Sequence, residues 1–108
     1  MIECVCQLPP FDYRDYERED LGSDSMNADI YIDTCKNCGT RWVVYLIEWP
    51  HFSKSTRWYR APVRDDEILA LCTKNAKDYI ERQEWCFAGG DFYRERGIHK
   101  KTKPITIV

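Results

Sequence analysis

Four of the six cysteines in this 108-residue chain fall into two tight pairs, Cys4-Val5-Cys6 and Cys35-Lys36-Asn37-Cys38. Closely spaced thiols do one of two kinds of chemistry: they cycle between dithiol and disulfide, or as thiolates they bind a soft divalent ion. The two-residue gap of the second pair lets both sulfurs converge on one tetrahedral zinc ion at about 2.3 Å. Gly39, directly behind Cys38, can take a positive φ and fold the turn amides towards the sulfurs. A redox Cys-x-x-Cys normally opens a helix that lowers its thiol pKa. The residues around Cys35 and Cys38 read instead as a hairpin, so metal binding is the stronger expectation. Four thiolates close the coordination sphere, which makes such a site structural rather than catalytic. Lys36 and Arg41 stand close enough in sequence to offset the surplus negative charge, and Trp42 to shield the site. Fewer protein ligands, a redox pair and unrelated cysteines are the competing readings.

The run Cys35-Lys36-Asn37-Cys38-Gly39-Thr40-Arg41-Trp42 resembles the second knuckle of zinc-ribbon proteins, in which a hairpin turn carries Cys-x-x-Cys-Gly followed by an aromatic residue. With that resemblance the expected ligand set is Cys4, Cys6, Cys35 and Cys38 around structural Zn2+. Cys4 and Cys6 depart from the ribbon pattern, having one intervening residue where a first knuckle has two, and the gap between the pairs is long for a compact ribbon. The resemblance is confined to residues 35–42.

Other candidates carry weaker signals. Phe11, Asp12, Tyr13, Asp15, Tyr16, Glu17, Glu19 and Asp20 interleave aromatics with carboxylates, the combination that anchors an interface and steers a basic protein towards it. The bland alternative is a solvated loop whose aromatics pin it to the domain. Arg57, Arg60, Lys100, Lys101 and Lys103 are the candidates for a nucleic-acid surface, with Trp49, Trp58 and Tyr59 as a stacking platform; aromatics at strand positions are more often core. His51 and His99 lie in no nucleophile motif, and Gly89-Gly90 lacks the lysine and Ser/Thr of a phosphate loop.

The elements that must position these groups read as follows. A long acidic loop over about residues 9–28 precedes three strands, in "DIYIDTC", "TRWVVYLIEW" and "TRWYRAPV", that form an antiparallel meander with the cysteine turn between the first two. "DDEILALCTKNAKDYIERQEWCF" spaces Ile68, Cys72, Ala76, Ile80 and Phe87 near 3.6, with Leu69 and Tyr79 flanking, and predicts one long helix over about 66–87. Gly89-Gly90 would stop it, and "TKPITIV" predicts a short terminal strand. Cys72 and Cys86 would then sit about 21 Å apart on that helix and are read as small buried hydrophobes. The expected fold class is α+β: a small three-stranded antiparallel sheet with a zinc knuckle, the long helix on one face and a C-terminal strand.

One hundred and eight residues bury one core, so residues 1–108 are expected to be a single domain. The net charge of −2 disfavours a general nucleic-acid binder. Its distribution is uneven: residues 11–33 carry eight acids against two arginines, residues 94–103 five basic residues against one acid. No run is apolar enough to span a bilayer, and "MIECVCQLPP" lacks the features of a secretory signal, so no membrane partner and a cytoplasmic location are expected. The expected function is a non-enzymatic zinc-binding protein-interaction module. An inhibitor such as a bacterial immunity protein or antitoxin masking a basic partner is one form of it, by analogy of size and charge. A nucleic-acid-associated zinc-ribbon protein and an enzyme with an unrecognised site are the alternatives.

Overall fold

The computed structural model describes residues 13–47, 56–90 and 95–101. Six antiparallel strands follow one another across a single sheet: β1 (Tyr16–Ser23), β2 (Asp29–Cys35), β3 (Arg41–Ile47), β4 (Arg57–Val63), β5 (Trp85–Gly90) and β6 (Glu95–Lys101). One six-residue helix, α1 (Ala76–Glu81), interrupts the meander between β4 and β5. No described helix is long and apolar enough to cross a membrane.

Strands β2, β3 and β4 lie where alternation and β-branched content place them, in consecutive antiparallel pairs. Alternate side chains separate onto two faces. On the first, Ile30, Ile32, Val43, Tyr45, Tyr59 and Ala61 form the main core with Tyr79 and Ile80 of α1. On the second, Tyr16, Cys35, Trp42 and Phe87 form a smaller aromatic cluster, with Trp58 and Trp85 packed against it. Burial on both faces is why the central strand β3 reads as a nearly unbroken apolar run.

The α+β expectation with a long helix does not hold. Over 66–87 the chain makes a 3-10 turn (Ile68–Ala70), then α1, and enters β5 at Trp85. Leu71 leaves the turn extended, at ψ 134°. The Asn75 side chain then secures both broken ends, accepting the Cys72 amide at 2.8 Å and donating to the Ala70 carbonyl at 2.8 Å. Asparagine competes with helical backbone in this way. The predicted apolar stripe is therefore divided. Ala76, Tyr79 and Ile80 enter the main core, Leu69 is 98% exposed, Cys72 is exposed, and Phe87 belongs to the opposite face of the sheet. Gly89 and Gly90 are strand residues rather than a helix stop: Gly89 pairs with Trp58 and Ala88 with Tyr59, so the small residues of β5 face the bulky ones of β4.

The acidic segment is likewise not a long loop, since residues 16–23 of it form β1 in register with β2. The terminal strand read in "TKPITIV" lies outside the described residues, and the strand that is described, β6, precedes it.

Asp24 organises the turn between β1 and β2. Its Oδ1 accepts the Met26 and Ala28 amides, and Asn27 takes the left-handed φ of 62° that asparagine tolerates. Its Oδ2 accepts the hydroxyl of buried Tyr45. Burial, and then that hydrogen bond, push the Tyr45 phenol well above its ordinary value. Burial and Glu67 raise Tyr79 in the same sense. A folded-state value above the unfolded one contributes stability that is fully present below the unfolded tyrosine value of about 10 and lost as pH rises through the folded one. Urea midpoints are thus expected to fall above about pH 10. Tyr45→Phe should flatten part of that fall while costing about 1–2 kcal/mol at neutral pH through the lost bond; an unchanged pH profile would exclude Tyr45 as its source.

Candidate functional site

The cysteine knuckle occupies the β2–β3 turn. Cys35 ends β2 and is buried; Cys38 is exposed in the turn. The turn closes through the Gly39 amide donating to the Cys35 carbonyl at 2.9 Å, with Gly39 at φ +78°, where a side chain would be strained. The Cys38 thiol donates to the Thr40 hydroxyl at 3.2 Å, and the Lys36 amide donates to the Asp15 carbonyl at 2.9 Å, tying the segment before β1 to the knuckle. Both thiols thus belong to one tight turn. Cys4 and Cys6 lie outside the described residues, and among the described residues no three His, Cys, Asp or Glu side chains are grouped to hold a metal ion.

Sequence reasoning missed the centre of the second face. Register places Arg18 of β1 directly across from Asp33 of β2. The Arg18 guanidinium grips the Asp33 carboxylate through two bonds, Nε to Oδ1 at 2.7 Å and Nη2 to Oδ2 at 2.9 Å. Arg60, reaching from β4, brings Nη2 to 3.7 Å from Asp33 Oδ2. Its guanidinium carbon lies over the Tyr16 ring at 4.6 Å and over the Trp42 ring at 5.2 Å, both cation–π distances. Arg18 also covers Tyr31 at 4.3 Å. The Asp33 and Arg60 side chains are almost wholly buried, at 2% and 5% exposed, whereas Arg18 is 44% exposed. Hydrogen bonding to Asp33 raises the Arg18 pKa despite partial desolvation, keeping the group charged. Tyr16, Arg18, Asp33 and Arg60, with Val44, Leu46 and Trp58, line a cavity of about 190 Å³.

One signal for this cluster stood in the sequence. Alternation in "DIYIDTC" puts Asp33 on the face away from Ile30 and Ile32. Its partners, however, are 15 and 27 residues away in the chain, and only strand register brings them to it.

The remaining predicted residues divide. Glu17, Glu19 and Asp20 are exposed on β1, the first strand of the sheet, and Asp15 is half-buried in the 3-10 turn that begins at Tyr13. Tyr16 is 6% exposed and serves the aromatic cluster rather than solvent. Phe11 and Asp12 lie outside the described residues, as do Lys103, Trp49 and His51. Arg57 and Arg60 are interior, at 1% and 4% exposed, and Tyr59 is core, so these three do not form a solvent-facing nucleic-acid surface. Lys100 and Lys101 pair with Cys86 and Trp85 along β6, and His99 with Phe87. Cys86 is buried, now in a strand rather than a helix.

No protein-family model matches the chain, no curated protein is significantly similar to it in sequence, and no solved structure matches its fold significantly.

Proposed function

We propose that this chain is a non-enzymatic, zinc-stabilised interaction module of the cytoplasm that engages a basic protein along β1. The observation that carries the reading is the combination found on that strand. Among the described residues β1 is the outermost strand of the sheet, and Glu17, Glu19 and Asp20 stand exposed on it while Tyr16 anchors it inward. An outer strand can accept a strand from a partner. Carboxylates along it favour a cationic partner and speed its approach. Masking of a basic toxin, as bacterial immunity proteins and antitoxins do, is the concrete form by analogy of size and charge.

For the metal, we infer that Cys35 and Cys38 supply two thiolates and Cys4 and Cys6 the others. The glycine-closed Cys-x-x-Cys turn supports this. So does the indole Nε1–H of Trp42, which is buried in the Cys35 cluster with no acceptor among the described residues and is a donor that a thiolate site uses. Bound there, zinc cross-links the amino-terminal segment to the β2–β3 turn and contributes folding free energy. The nucleic-acid alternative loses Arg57 and Arg60, which are interior, and would rest on Lys100, Lys101 and Lys103.

The test uses affinity-purified protein from its native host. A stoichiometric basic partner is expected with the unaltered chain, and the combined variant Glu17→Gln, Glu19→Gln, Asp20→Asn should weaken its binding about tenfold with a shallower salt dependence. A control variant, Asp65→Asn with Asp66→Asn in the exposed turn after β4, should bind as the unaltered chain does. Equal affinity for both variants would remove β1 as the docking strand.

A further inference from the structure

We propose that the cleft between the β1–β2 turn and the start of α1 is a binding site for a small zwitterion of the α-amino acid class. The inference goes beyond the interaction along β1, because Glu17, Glu19 and Asp20 do not line this cleft and its preferred ligand carries no net charge.

Ser23, Asp24, Ser25 and Met26 form one wall of the cleft, and Thr73, Lys74, Lys77 and Asp78 form the other. Two of the four charged groups are already engaged. Asp24 uses both oxygens, Oδ1 accepting the Met26 and Ala28 amides and Oδ2 the Tyr45 hydroxyl. Lys77 is bound to Glu81 at 2.9 Å. Lys74 and Asp78 are both exposed, and neither side chain has a partner among the described residues. The cleft therefore offers one cation and one anion on the same wall. A simple anion would meet Lys74 but be repelled by Asp78, and a simple cation the reverse. A carboxylate and an ammonium on one small molecule answer both.

Both walls are braced from behind. The three bonds to the Asp24 side chain hold the turn, and the Asn75 side chain holds the opposite segment through the Cys72 amide and the Ala70 carbonyl. The walls approach each other at Gly22, where an added Cβ would lie 3.4 Å from Thr73 Cγ2. With the backbone set on either side, little beyond the Lys74 and Asp78 side chains has to be ordered on binding. The volume of about 410 Å³ lies within the roughly 300–1,000 Å³ of small-molecule sites. At roughly 30 Å³ per water molecule, it has the volume of about fourteen waters, enough for an amino acid with its side chain. The hydroxyls of Ser25 and Thr73 stand beside the charged pair as further hydrogen-bonding groups, and the Met26 thioether, 44% exposed, gives the side chain a soft apolar contact.

The test follows backbone amide shifts of the full-length protein by NMR during titration with three probes: L-leucine, L-leucinamide, which lacks the carboxylate, and N-acetyl-L-leucine, which lacks the ammonium. Saturable shifts at Ser25, Met26, Lys74 and Asp78 are expected with L-leucine, at an affinity around 1 mM or tighter. Each blocked probe should bind about fivefold more weakly, the effect of losing one charged contact at an exposed site. Lys74→Gln and Asp78→Asn, both at exposed positions, should each weaken L-leucine about fivefold. Lys74→Gln should also abolish the discrimination against leucinamide, and Asp78→Asn that against N-acetyl-leucine. No shift with L-leucine up to about 10 mM, equal affinity for all three probes, or unaltered binding by both variants would overturn the proposal. The combined variant Glu17→Gln, Glu19→Gln, Asp20→Asn should bind L-leucine as the unaltered chain does, so failure here and failure of the interaction reading are distinct results.

Discussion

Asp33→Ala is expected to lower stability by about 3 kcal/mol, one of the two largest effects of a small change in this protein. Removing one member of a buried ion pair withdraws a counter-charge from the groups around it, at a typical cost of 3–5 kcal/mol. The lower end applies because Arg18, 44% exposed, can swing its charge into water, while Arg60, 5% exposed and held by two aromatic rings, cannot. The measurement is the urea midpoint at constant slope, which reports stability alone. Asp33→Asn should cost less, since its amide oxygen still accepts from Arg18. The combination Asp33→Leu with Arg60→Met should recover most of the loss, because a buried pair replaced by apolar groups of similar volume is often neutral. If Asp33→Ala leaves the midpoint unchanged, the cluster does not hold the second face of the sheet.

The other large effect follows from the proposed zinc site and is metal removal. Structural zinc in small domains is worth on the order of 10–16 kcal/mol at neutral pH, comparable to the whole stability of a typical domain at roughly 5–15 kcal/mol. Native mass spectrometry of freshly isolated protein should therefore show one zinc per chain. Chelation should unfold the chain, and Cys38→Ser should lower zinc affinity and stability together. Cys38 is the informative position because it is exposed: its substitution disturbs no core, whereas Cys35→Ser would also place a hydroxyl in the aromatic cluster. Protein isolated without zinc, and indifferent to chelator, would refute the metal assignment while leaving the Arg18–Asp33–Arg60 cluster intact.

Legibility in the sequence varied with the range of the interaction that decides each element. The strands "DIYIDTC" and "TRWYRAPV" and the glycine-closed cysteine turn were readable because each is encoded within a few residues: alternation for the strands, and the left-handed φ of Gly39 for the turn. The helix over 66–87 was misread because 3.6 spacing counts apolar residues without knowing what they will touch. Asn75 breaks the run by bonding Ala70 and Cys72, and "WCFAGG" is drawn into the sheet because its small residues fit opposite Trp58 and Tyr59. The acidic segment was misread for a related reason. Its charge signals solvent, and an outermost strand faces solvent without ceasing to be a strand.

The candidate sites follow the same division. The sequence alone determined that two thiols share a tight turn, that Glu17, Glu19 and Asp20 meet solvent, and that Asp33 and Ile32 point to opposite sides. Tertiary structure alone decided that Arg60 is an interior cation rather than a surface one, and that Arg18, Asp33 and Arg60 form a single cluster beside a cavity. Local patterns state which way a residue faces. Which residues it meets there is set by the register of strands distant in the chain, where shifting a strand by one residue would turn Arg18 away from Asp33.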